Sequence, residues 1–168
     1  RCSRPLGEEP SHLPDLMRYK YGKLRALHGK GQGDGSRGKI GIPFGLNMYE
    51  NLPFWFELFT RLNFEVVLSP ESSRKLYLKG QRTIPSDTVC YPAKLLHGHV
   101  EALVEAGVDA IFYPCMPYNF NEGVSDNNYN CPVVAYYPEL LAANVPSLKK
   151  VRYLNPYFGL HVSLIHIS

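Results

Sequence analysis

Short apolar runs and helix-period stretches alternate along this chain, and the fold expected is α/β: an open, largely parallel Rossmann-like sheet with helices on both faces. Three observations carry that expectation. Runs too short for buried helices, such as KIGIP, FEVVL and DAIFY, recur between longer amphipathic segments. The first two of these runs are separated by one helix-length segment, the spacing of a parallel strand–helix–strand unit. Proline stands just inside the start of two expected helices, where its missing N–H costs nothing.

In order, residues 1–38 read as an arm joined to an upstream module. It holds Cys2, which stands alone, and a loosely periodic helix over 13–27. The stretch HGKGQGDGSRGK at 28–39 has five glycines and nothing to bury, as a flexible linker would. It is not a phosphate loop, because it precedes a strand and lacks the terminal Gly-Lys-Ser/Thr. The domain proper is expected over 39–156. Its first strand is 39–43, and its first helix is capped by Asn51, has Pro53 in the first turn and buries Phe54, Leu58, Phe59 and Leu62. A strand over 64–68 and a helix over 72–79 follow, then a helix over 91–106 and a strand over 109–113. A polar, turn-rich loop leads to a strand over 131–136, a short helix over 138–144 and a last strand over 150–154. Residues 157–168 read as a truncated or appended tail.

Charge and composition exclude several classes. The net charge of +3 is unevenly placed: nine Lys or Arg stand against four Asp or Glu through Lys39, and nine against eleven afterwards. The domain is therefore slightly acidic and offers no clustered cations for nucleic acid, while the basic arm reads as a solvated linker. No leader peptide and no run of eighteen apolar residues is present, so a cytoplasmic setting without membrane insertion is expected. In a reducing compartment, grouped cysteines point to metal or redox chemistry more than to disulfides. No G-x-S-x-G elbow suggests a hydrolase.

The chemistry is expected around Cys90 and Cys115, 25 residues apart, an interval that holds one helix and one strand and so returns the chain to the sheet edge it left. Pro92 places Cys90 at a helix start, where free N–H groups and the helix dipole stabilise a thiolate. Lys94 and His97 follow at spacings of four and seven on the same helix face. Two buried, inert thiols are the alternative. In an open parallel sheet, residues 43–47, 69–73 and Cys115 should gather at the carboxyl edge. A zinc site with His97 or His99 lacks the usual close-pair spacing.

The runs IGIPFGLNMYENLPFWFELFTRLNFEVVLSP, SSRKLY, VCYPAKLLHGH, VDAIFYPCMPY and NCPVVAYYPE resemble a DUF2229-like domain. That domain follows the activator ATPase module in large proteins associated with 2-hydroxyacyl-CoA dehydratases. It is similar to the cluster-bearing subunits of those dehydratases and of benzoyl-CoA reductase. The resemblance covers roughly residues 39–154 and implies an iron–sulfur protein of anaerobic metabolism. In that family group three cysteines hold a 4Fe–4S cluster and one iron stays open. Carried onto this chain, the ligands implied are Cys90 and Cys115, with Cys131 of NCPVV as the third, and Lys94, His97 or His99 would tune charge nearby. Cys131 stands before an expected strand and so at the edge opposite Cys115: either the long polar loop brings it over, or the third ligand lies in sequence outside this chain. The implied partners are the activator ATPase module, upstream or separate, and a CoA-thioester substrate or redox partner. A non-catalytic docking or regulatory module with structural cysteines is the alternative.

Overall fold

The computed structural model of the protein describes residues 12–27 and 33–159. Strands β1 (Lys39–Ile42), β2 (Glu65–Leu68), β3 (Ala110–Phe112) and β4 (Arg152–Leu154) form one sheet in the order β2-β1-β3-β4, and all three pairings are parallel. Ile40 sits opposite Val66 on one side and Ala110 on the other, and Ile111 sits opposite Tyr153. The chain winds outward from β1 to β2, then returns to place β3 on the other side of β1. The carboxyl ends of β1 and β3 thus flank the switch point where sheets of this kind bind ligands.

Alternation along the strands assigns the two faces. Phe112 packs its ring 4.7 Å from Trp55 and 5.0 Å from Phe59 of helix α3 (Leu52–Arg61). Gly41 points the other way, and a Cβ there would lie 3.1 Å from Leu103 of helix α5 (Tyr91–Glu105). Helix α6 (Pro132–Asn144) shares the α5 face, since the Tyr153 hydroxyl donates to the Pro138 carbonyl at 3.0 Å.

Three local expectations are corrected. In α3 the buried stripe is Leu52, Trp55, Phe56, Phe59 and Thr60, whereas Phe54, Leu58 and Leu62 are exposed. The run PFWFELF supports two apolar stripes, and the sheet receives the one that buries the tryptophan, whose area is larger. Asn51 also makes no side-chain cap. In the arm, helix α1 (Leu16–Ala26) docks on the domain and is not simply a solvated linker: Asp15 caps it, the Tyr21 ring lies tilted 4.8 Å from that of Phe44, Lys20 pairs with Glu50, and Arg25 donates to the Ser69 carbonyl at 3.1 Å.

The third correction matters most. Residues 131–136 are not a strand; Pro132–Asn144 is one continuous helix with Cys131 as its N-cap. Two adjacent valines favour a strand locally, but Pro132 at the first turn and the packing of Ala135, Tyr137 and Leu141 into the core decide for helix. Since α6 runs into the parallel strand β4, its N-terminus lies at the carboxyl edge, and Cys131 is on the same edge as Cys115. Two further α-helices are α2 (Asn47–Glu50) and α4 (Arg74–Gly80), with Ser73 capping α4 through the Leu76 N–H, and short 3-10 turns lie at Gln81–Thr83 and Pro146–Lys150. Cys2, residues 28–32 and the tail beyond residue 159 lie outside the described residues; Tyr157, at the tail's start, bridges in parallel to Cys115.

Candidate functional site

Three cysteines reach the carboxyl edge by two routes. Cys90 and Cys131 are the N-caps of α5 and α6, with nearly the same backbone angles, φ −62°, ψ 151° and φ −61°, ψ 153°. Each is followed within two residues by proline, neither side chain caps its helix, and both are exposed. Cys115 instead ends the extension of β3, donating its N–H to the Pro156 carbonyl at 2.9 Å and accepting from Phe158 at 2.8 Å. It is fully buried. Burial pushes its thiol up, the Glu139 backbone N–H opposes that, and the Glu139 charge adds to it.

A helix-interior proline fixes how Cys115 meets α6. Pro138 has no N–H to give the Val134 carbonyl one turn earlier, and the Met116 N–H takes that acceptor at 3.3 Å. Met116 is itself buried, and its sulfur accepts from the Asn47 amide at 3.1 Å, a bond that crosses the switch point from the end of β1 to the end of β3. Phe44 donates its N–H to the Ser69 hydroxyl at 2.7 Å, so the segments after β1, β2 and β3 gather as the topology requires. The loop between Cys115 and Cys131 closes on itself, through Asn119 to Asn128 and Asn130 to Pro117.

Beneath this edge lie two histidines whose burial composition alone does not reveal. Helix α4 crosses α5 so closely at Gly80 and Gly98 that a Cβ on Gly98 would stand 1.9 Å from the Leu76 carbonyl oxygen. His97 and His99 flank that crossing and are fully buried. The Nδ1 of His97 bonds the Thr83 hydroxyl at 2.7 Å, and its Nε2 bonds the Tyr137 hydroxyl at 3.0 Å. His99 bonds Ser69 through Nδ1 at 2.7 Å and Ser72 through Nε2 at 2.9 Å. Burial lowers both to about 4, with the Arg25 charge contributing at His99, so both are neutral near pH 7. All four ring nitrogens are engaged, so neither histidine offers a nitrogen to a metal. Lys94 turns away to the Asp87 carbonyl at 2.8 Å.

Tyr137 links this layer to the sulfurs. Burial, with a smaller contribution from Cys90, pushes its hydroxyl up to about 12. Tyr113 is buried as well, with its hydroxyl raised chiefly by burial and further by its neighbours Tyr153, Cys115, Tyr137 and Cys131. Neither tyrosine stands out in the sequence as a site residue; the one available signal is that Tyr113 precedes Cys115 by two positions and so shares its strand face. Among the described residues, no group of three or more His, Cys, Asp and Glu is arranged to hold a metal ion. Also among the described residues, no helix is long and apolar enough to cross a membrane.

A four-stranded, all-parallel α/β sheet with cysteines at one strand end and two helix starts defines the class: a Rossmann-like domain. Within that class the chain belongs to a known family, because residues 39–165 match the model of the CoA enzyme activase uncharacterised domain (DUF2229). No curated protein matches the chain, and no solved structure does either.

Proposed function

We propose that this domain is the iron–sulfur part of a CoA enzyme activase system, with Cys90, Cys115 and Cys131 as the protein ligands of a 4Fe–4S cluster. The observation that supports the reading is that the backbone positions of all three cysteines, separated by 25 and 16 residues in the chain, fall at one sheet edge. The donor set fits: thiolates are the ligands such clusters take. Two of the three stand at helix N-termini, where the first backbone N–H groups have no acceptor within the helix. A cluster held there supplies low-potential, one-electron chemistry.

The chain's own residues have definable tasks. Cys90 and Cys131 present accessible sulfur. The Met116–Val134 bond holds the Cys115 segment against α6, and the buried histidines fix α5 against β2 and α6. An apolar groove of about 380 Å³, lined by Val89, Pro132, Val133, Tyr136 and Leu140 among others, runs beside the two exposed cysteines. It is the place for an acceptor, a CoA thioester or a redox partner. The electron source is an activator ATPase module in the same polypeptide or a separate one.

Anaerobic reconstitution with iron and sulfide tests this. The expected product is brown and contains about four irons per chain. Cys90→Ala and Cys131→Ala should each lower iron retention and bleach the visible band. Colourless protein that takes up no iron overturns the reading. A second reading, a docking or regulatory module with structural cysteines, is favoured by the absence of any metal-holding group of three among the described residues. It requires that Cys90→Ala and Cys131→Ala, at exposed positions, fold and bind partners as the parent does, while truncating the buried Cys115 costs stability.

A further inference from the structure

We infer that the Tyr113 hydroxyl is a hydrogen-bond donor to the sulfur site, directed at a thiolate or inorganic sulfide held between Cys115 and Cys131; this rests on the iron–sulfur reading above. Tyr113 is fully buried, and its hydroxyl has no hydrogen-bond partner among the described residues. A buried hydroxyl left unpaired is costly, so the position calls for a hydrogen-bond partner that the described residues do not provide.

Backbone geometry says where that partner lies. Tyr113 donates its N–H to Leu154 and Cys115 to Pro156, both at 2.9 Å, so the chain stays extended and paired with β4 and its continuation across both residues. Side chains two apart on an extended strand leave from the same face. That face is the one covered by α6, because Tyr153, paired with Ile111 on the same face, bonds the α6 carbonyl of Pro138. Tyr113 and Cys115 therefore project together toward the helix that begins at Cys131, and the hydroxyl is within electrostatic reach of both sulfurs. The competing hydroxyls are already committed, Tyr137 to His97 and Tyr153 to Pro138. Toward a thiolate or sulfide, which offers only lone pairs, the hydroxyl acts as the donor.

Hydrogen bonds to cluster sulfurs favour the reduced, more negative form and so raise the potential. Tyr113→Phe removes the donor and keeps the ring. In the anaerobically reconstituted protein, this variant should hold as much iron as the parent while its reduction equilibrium falls about tenfold, roughly 59 mV for one electron. Equal potentials in two cluster-loaded proteins overturn the inference and leave the iron–sulfur reading standing. A parent protein that takes up no iron overturns both. Should Tyr113→Phe fail to fold, pulsed EPR of the reduced parent cluster in D₂O decides: a strongly coupled, slowly exchanging deuteron supports the donor, and its absence refutes it.

Discussion

The buried histidines make this domain acid-sensitive in a way that can be worked out in advance. In the unfolded chain His97 and His99 titrate near their ordinary value of 6.5, whereas in the fold burial lowers both to about 4. As pH falls below 6.5 the unfolded state therefore takes up protons that the folded state refuses. The stability is fully present above 6.5 and is lost progressively down to about 4. Integrating the two titrations between about pH 7.5 and pH 5 gives about 2 kcal/mol per histidine, or about 4 kcal/mol for both. A whole domain of this size is stable by only about 5–15 kcal/mol. Denaturant unfolding at a series of pH values, followed by tryptophan fluorescence from the buried Trp55, measures the loss. His99→Gln should remove about half of the slope while lowering stability at neutral pH. A stability that stays flat between pH 7 and 5, or an NMR titration of either imidazole near 6.5, would refute the reasoning.

Other perturbations follow from the same contacts. Gly98→Ala drives a methyl into the Leu76 carbonyl, 1.9 Å from its ideal position, and should cost at least about 3 kcal/mol by forcing α4 and α5 apart, read as a lowered denaturant midpoint. Ser69→Ala orphans the Phe44 N–H and one nitrogen of His99 together, and a loss of about 1–3 kcal/mol is expected in the same assay. Pro138→Ala gives the Val134 carbonyl a helical donor, so the Met116 amide should exchange with solvent faster even where the melting temperature rises. Leu58→Glu, on the exposed stripe of α3, should shift stability by less than about 0.5 kcal/mol, unlike Phe59→Ala at about 3–5 kcal/mol.

The exposed α3 stripe and the misassigned α6 show the same limit on local pattern. In both places two readings had comparable periodicity or propensity. The choice was made by what lay opposite: Phe112 accepting Trp55 and Phe59 in one case, and the sheet receiving Ala135, Tyr137 and Leu141 in the other. The misassignment of residues 131–136 had a larger effect than its length suggests. It put Cys131 at the wrong end of the sheet, although Cys131-Pro132 repeats the cysteine-then-proline start already read correctly at Cys90. The histidines are a parallel case. Their spacing on one helix is plain, but only the close approach of Gly80 to Gly98 buries them and engages their nitrogens with Thr83, Tyr137, Ser69 and Ser72.

Local chain chemistry was enough to determine the α/β class, the parallel sheet through Phe112, and the placement of Cys90 and Cys115 at helix start and strand end, because proline, backbone donors and two-residue alternation act over a few residues. That Cys131 starts a helix at the same sheet edge, and that Tyr113 and Tyr137 are buried beneath it, was decided by tertiary structure alone. It depends on which faces meet across the sheet, and contacts between residues tens of positions apart leave no periodic trace in the chain.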